Sequence, residues 1–376
     1  MNRLLGLELL RGVAALLVLF EHLRLTIWDV CGRATPLPWA IEHLHGYWGV
    51  DIFFVLSGYL IGLTLDKPGT TARSFLLARF ARVLPLYVVV TACCLAIPSL
   101  RTADISVPML VTSATLLPLA GDALSPLTAH PYGRTLCFEM SFYVVATAVA
   151  AVVGARNAAA VLIGVYTLAP AALTAFGPFA GWAFPSFAAS PLTAEFALGL
   201  VAFRLTARLP SRAGWALLAI AGAQVLVGCL DDYCQGVPAD ILANPLRAWT
   251  RVRRFGLPAF LGVLGVACLD RAGAFRSVGR FARLAGSVSY PLYLIQSFTL
   301  PILVAFAPPL GLDRAWPVAV TSVALSLLLA AAVTRCVDQP LHALAKGWAK
   351  RLSTPRQPSS ASSFWTFASI KSRTLR

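Results

Sequence analysis

The chain is poor in charge. Only 12% of its 376 residues are Asp, Glu, Lys or Arg, and 16 of these are acidic, whereas a soluble domain carries about 25% charged residues. An ordinary soluble globular fold is therefore excluded. The eight cysteines include no Cys-x-x-Cys pair and no Cys/His spacing suited to zinc, so neither a disulfide scaffold nor a metal site is expected. No internal repeat is visible, which argues against folds built from duplicated halves.

What is present is hydrophobic length: 58% of the residues are hydrophobic. Apolar segments recur at close to the ~20 residues a helix needs to cross a ~30 Å hydrocarbon core. The expected fold is an all-α, polytopic membrane bundle of about ten spans, centred near 8–28, 49–65, 83–99, 135–154, 157–176, 189–206, 213–230, 255–270, 285–306 and 316–336. The net charge of +15 is explained first by asymmetry across the membrane, and no nucleic-acid partner is expected. Placing most basic residues inside puts both termini in the cytoplasm. Residues 1–350 form one transmembrane domain in this reading, and 351–376 a basic, Ser-rich, disordered tail. The first apolar run carries Glu8, Arg11, Glu21 and His22, so it reads as an uncleaved helix. Cys229 and Cys234 fall outside, where an oxidising compartment permits either a local pair or two free thiols.

Ionisable groups inside a bilayer are costly and face the bundle interior, where they mark candidate sites. In the first span, Arg11 and His22 are eleven residues apart, about three turns, which sets them on one helix face about 16 Å apart with Glu8 on the same side. A neutral imidazole can take a proton from a hydroxyl nucleophile; a packing histidine is the equal alternative. Next comes GVDIFFVLSGYLI, where Asp51 can cap backbone N–H groups and Ser57 with Gly58 supply a small patch for close helix approach. Arg73, Arg79 and Arg82 follow. Flanking charge explains them, and so does a phosphate-rich ligand, which guanidinium groups bind bidentately.

Glu139 in GRTLCFEMSFYV needs a cationic or hydrogen-bonding partner, with His22 or an arginine as the candidates; Glu195 is a weaker instance. Arg247, Arg251 and Arg254 fall at i, i+4 and i+7, one face of a helix that enters the eighth span from outside. They suit either lipid phosphates or an anionic acceptor.

In order, these stretches resemble the acyltransferase 3 family of integral-membrane acyltransferases. The likeness rests on Glu8 and Arg11 with the Arg-x10-His spacing to His22, then GVDIFFVLSGYLI, then Arg79-x-x-Arg82 with Pro85 and Tyr87. Glu139 with Phe142 and Tyr143 comes next, followed by GSVSYPLYLIQ containing Tyr290, and a last span ending Asp338-Gln339-Pro340. It covers residues 4 to 342. In two places the chain departs from the family: Gln339 intervenes before Pro340, and Gln296 stands where a histidine commonly closes the SYxLYL stretch.

The resemblance implies an O-acyltransferase of the bacterial inner membrane. Such an enzyme moves an acyl group, commonly acetyl, from cytoplasmic acyl-CoA to a hydroxyl of an envelope glycan or lipid-linked saccharide. It holds no permanent cofactor and uses acyl-CoA (acetyl-CoA) as co-substrate. His22 would act in catalysis with Glu139 and Arg11, and the arginines would bind the donor. The alternative from another class is a proton-coupled transporter relaying protons through His22 and Glu139.

Overall fold

The computed structural model describes residues 4–32, 46–97, 104–119, 126–179, 183–230, 244–306 and 314–353. Every regular element among them is helical. The helices are α1 (Leu5–Cys31), α2 (Trp48–Leu65), α3 (Ala72–Ala96), α4 (Val107–Thr115), α5 (Gly133–Val153), α6 (Ala155–Phe176), α7 (Ala183–Ala188), α8 (Ala194–Thr206), α9 (Ala213–Leu230), α10 (Pro245–Arg251), α11 (Leu257–Arg271), α12 (Gly279–Phe306), α13 (Ala315–Val333) and α14 (Gln339–Ser353). Short π-helical turns, Val252–Gly256 and Thr334–Asp338, join α10 to α11 and α13 to α14. Cys234 and the tail from 354 onward lie outside the described residues, as does the side chain of Cys229.

Seven of these helical stretches are long and apolar enough to cross a membrane, so the protein is a multi-pass membrane bundle. The other three of the ten expected spans, α1, α8 and α9, are helices as well. The 189–206 segment yields only a 13-residue helix, α8, about 20 Å long. α9 has 18 residues and no charged side chain. The third, α1, has the length, with 27 residues, but carries the charges that build the site.

Local chemistry fixes the ends. Thr71 and Ser74 form a reciprocal capping box that starts α3, satisfying backbone N–H groups that open any helix. The first N–H groups of α1 are met from a distance: Asp270 at the end of α11 accepts from Gly6 N at 2.8 Å and Leu7 N at 3.2 Å. A carboxylate there also opposes the positive end of the helix dipole. Gly154, with φ 79°, ends α5 and starts α6 in a one-residue reversal, a backbone state that favours glycine.

Packing around α1 and α2 positions the site. Along its length α1 lies on α12 and touches α2, while α2 lies on α8. The α2–α8 contact leaves no room for a side chain: a Cβ on Gly58 would meet the Phe196 carbonyl at 2.2 Å, and one on Gly199 would meet the Val55 carbonyl at 2.1 Å. Such small-residue contacts hold membrane helices together through van der Waals packing and interhelical hydrogen bonds. Aromatic side chains fill the adjoining core, with Phe142 stacked on Phe196 at 4.2 Å and Phe138 on Phe187 at 4.1 Å between ring centroids.

Candidate active site

Arg11 and His22 sit on one helix but face two different hollows. The first is a cavity of about 830 Å³, counting its open mouth, lined by Arg11, Ser57, Arg79, Arg82, Glu139, Tyr143 and Tyr290 among apolar side chains. The second, of about 960 Å³ on the same measure, is lined by Glu21, His22, Tyr47, Tyr132, Arg134 and Arg251 among others. Val50, Phe54, Thr135 and Tyr293 line both. These four side chains form the wall between the cavities.

In the Arg11 cavity the residues from α2, α3, α5 and α12 are tied to one another. Glu139 accepts hydrogen bonds from Ser57 Oγ at 2.7 Å and from the Tyr143 hydroxyl. Arg79 donates to Thr64 Oγ1 at 2.6 Å and the Leu60 carbonyl at 3.3 Å, and lies 5.4 Å from the Phe75 ring and 5.6 Å from the Tyr143 ring. Arg82 is ion-paired with Asp338 at 3.2 Å and stacks 5.3 Å from the ring of Tyr290, whose hydroxyl donates to the Val83 carbonyl. Arg11 makes no hydrogen bond or ion pair among the described residues, so its whole guanidinium is open to a ligand there, beside the N–H groups that Arg79 and Arg82 leave over. Arg73 is exposed in the first turn of α3 and lines neither cavity. Glu8 packs its Cβ 2.9 Å from the point a Gly286 side chain would occupy, and also stays outside both linings.

In the other cavity His22 is held by its own helix. Nδ1 lies 2.8 Å from the Val18 carbonyl. A carbonyl oxygen can only accept, so Nδ1 carries the hydrogen and Nε2 of the neutral ring bears the lone pair. The ring packs against Tyr132 with centroids 4.5 Å apart. Tyr132 is placed in turn by His130, whose Nδ1 accepts from Tyr132 N at 3.1 Å while Nε2 reaches Leu294 O and Ser297 Oγ. Thus a buried, structural histidine orients the partner of the one that lines the cavity.

Several expected pairings take a different form. Of the two neighbours left open for Glu139, Arg11 shares its cavity and His22 lies beyond the wall, while its hydrogen bonds come from Ser57 and Tyr143. Asp51 does not cap α2. It forms a bidentate ion pair with Arg251, at 3.0 Å to Nε and 2.9 Å to Nη2, and both are buried, with Glu195 buried beside them. Arg251 is therefore committed within the protein. The shared face expected for Arg247, Arg251 and Arg254 is broken by the π-helical turn after Arg251, and Arg247 is exposed where Arg251 is buried. Glu21 is bound by Arg24 at 2.6 Å and by Gly46 N at 2.9 Å. Sequence reasoning did not find Tyr132, Arg134, Thr135 or Tyr293; the one available signal was an arginine, Arg134, on the side where positive charge is scarce.

Two cavities, each lined by charged groups among apolar side chains, thus meet inside the helical membrane bundle. The chain belongs to the acyltransferase-domain family known as acyltransferase 3, which matches residues 4–335; it is an acyltransferase. It is 28% identical over 317 residues to the exopolysaccharide production protein ExoZ of Rhizobium meliloti, a match spanning 81% of this chain and 92% of that protein. It is also 36% identical over 95 residues to protein 2 in the picA locus of Rhizobium radiobacter, 24% of this chain and 44% of that one. No solved structure matches it.

Proposed function

We propose that the protein is an O-acyltransferase of the bacterial inner membrane, with both termini cytoplasmic. In this reading it moves an acyl group, acetyl in the first instance, from acyl-CoA to a hydroxyl of an envelope polysaccharide or its lipid-linked precursor. The observation that carries the reading is the pair of cavities meeting at the wall of Val50, Phe54, Thr135 and Tyr293, with arginines on one side and His22 on the other. A polysaccharide acceptor is supported by the likeness to an exopolysaccharide production protein.

The chemistry follows from the residues. The acyl-CoA enters the cytoplasmic, Arg11 cavity, where Arg11, Arg79 and Arg82 supply the charge that holds its anionic end. The thioester reaches the wall beside Thr135 and Tyr293. The acceptor hydroxyl occupies the opposite cavity, where Nε2 of His22 takes its proton as the oxygen attacks the thioester carbonyl; the thiolate of CoA leaves on the donor side. Walls of aromatic and aliphatic side chains keep bulk water from the thioester. Neither substrate has to cross the membrane for this transfer.

The test is acyl transfer from radiolabelled acetyl-CoA in membranes containing the protein, read together with the mass of the surface polysaccharide with and without the gene. The reading expects an acceptor-dependent labelled product and an acyl mass that disappears with the gene. Intact acetyl-CoA and an unchanged polysaccharide would contradict it.

A further inference from the structure

The His22 cavity holds more positive charge than its surroundings neutralise. Of its lining residues, Glu21 is bound by Arg24 and by Gly46 N, and Arg251 is bound by Asp51. The remaining cation is Arg134, half-buried in the first turn of α5 and adjacent in sequence to Thr135 of the shared wall. Two positions away, Tyr132 packs on the His22 ring. Among the described residues Arg134 makes no hydrogen bond or ion pair.

Its position is unfavourable on two counts. A cation in the first turn opposes the helix dipole, which places partial positive charge at that end. Under the proposed orientation it also lies on the external side, where basic residues are depleted. Among the described residues no carboxylate pairs with it to offset either cost. A guanidinium lining a cavity beside a base is, however, what recognition of a carboxylate or phosphate requires, because its planar fork matches both groups.

We propose that Arg134 binds an anionic group, a carboxylate or phosphate, on the acceptor and thereby orients the acceptor's hydroxyl toward His22. The inference rests on the reading that this cavity takes the acceptor. The negative charge has two candidate sources, a uronate or other acid on the saccharide, or the diphosphate of a lipid carrier.

Three probes separate these sources in membranes carrying the full-length protein, with acetyl-CoA as donor. They are an oligosaccharide containing uronic acid, its carboxyl-reduced form, and that reduced form linked to polyprenyl diphosphate. The wild-type protein is expected to show a lower KM for one or both anionic probes than for the neutral one, which names the source. Arg134→Gln should raise the KM for the preferred anionic probe by about 10- to 100-fold, as expected for the loss of one charge-assisted contact. The ratio of kcat/KM on that probe to kcat/KM on the neutral probe should collapse toward one, and Arg134→Lys should recover part of the loss. An equal effect on all three probes, or none, would overturn the inference. No product from the wild-type protein on any probe would fail the acyl-transfer reading and this inference with it, whereas transfer indifferent to Arg134 would fail the inference alone.

Discussion

Thr135 and Tyr293 are hydrogen-bonded through their side-chain oxygens in the wall that the two cavities share. Thr135 Oγ1 also donates to the Tyr132 carbonyl at 2.8 Å, so the wall is tied to the residue that packs on His22. The Tyr293 ring lies 6.0 Å from that of Phe53 and 5.6 Å from that of Tyr132, filling the space between the hollows.

Removing that ring should uncouple the reaction. Tyr293→Ala joins the cavities and admits water to the thioester, so acceptor-independent hydrolysis of acyl-CoA should rise several-fold relative to transfer. Tyr293→Phe keeps the ring and should change the ratio little. Free CoA released per acylated product measures it, and an unchanged ratio in the Ala variant would contradict a separating role.

The Asp51–Arg251 pair is expected to matter for stability rather than for recognition. Both members are buried, and removing one partner of a buried ion pair leaves an uncompensated charge at a cost of about 3–5 kcal/mol. Asp51→Ala or Arg251→Ala should therefore lower the melting temperature and yield of the detergent-solubilised protein sharply. The double replacement Asp51→Leu with Arg251→Met should regain most of the loss. A double variant no better than the single ones would contradict this account.

Donor binding is expected to depend on Arg82 and, through it, on Asp338. Arg82→Ala should raise the KM for acyl-CoA about 10- to 100-fold, the equivalent of one charge-assisted contact of ~1.5–3 kcal/mol. Asp338→Asn loosens the ion pair that positions the guanidinium and should raise the same KM by less, with kcat held. If both variants bound acyl-CoA as the wild type does, the Arg11 cavity would not be the donor site.

Much of the helical order was legible in the sequence because hydropathy and local spacing act within one segment. Arg79 and Arg82, three residues apart, do line one cavity, and Arg11 and His22 share a helix. Pairing across helices was not legible. Asp51 meets a partner 200 positions away, and nothing in either segment announces it. The choice between His22 and an arginine beside Glu139 stayed open for the same reason: helix spacing gives the face of a residue on its own helix, while packing decides which cavity that face borders. The π-helical turn after Arg251 likewise shifts a register that an ideal 3.6-residue period assumes. No local pattern marks Tyr132, Thr135 and Tyr293, which meet only where the start of α5 packs near α12.

The most direct measurement is the turnover of His22→Ala in membranes where its insertion and abundance are verified, with acyl-CoA binding measured alongside. His22 is held by Val18 O through Nδ1 and lines the proposed acceptor cavity, on the far side of the wall from Arg11. The account predicts that transfer is abolished while acyl-CoA still binds with the wild-type affinity. Near-normal turnover in that variant would show His22 to be a packing residue and contradict the account.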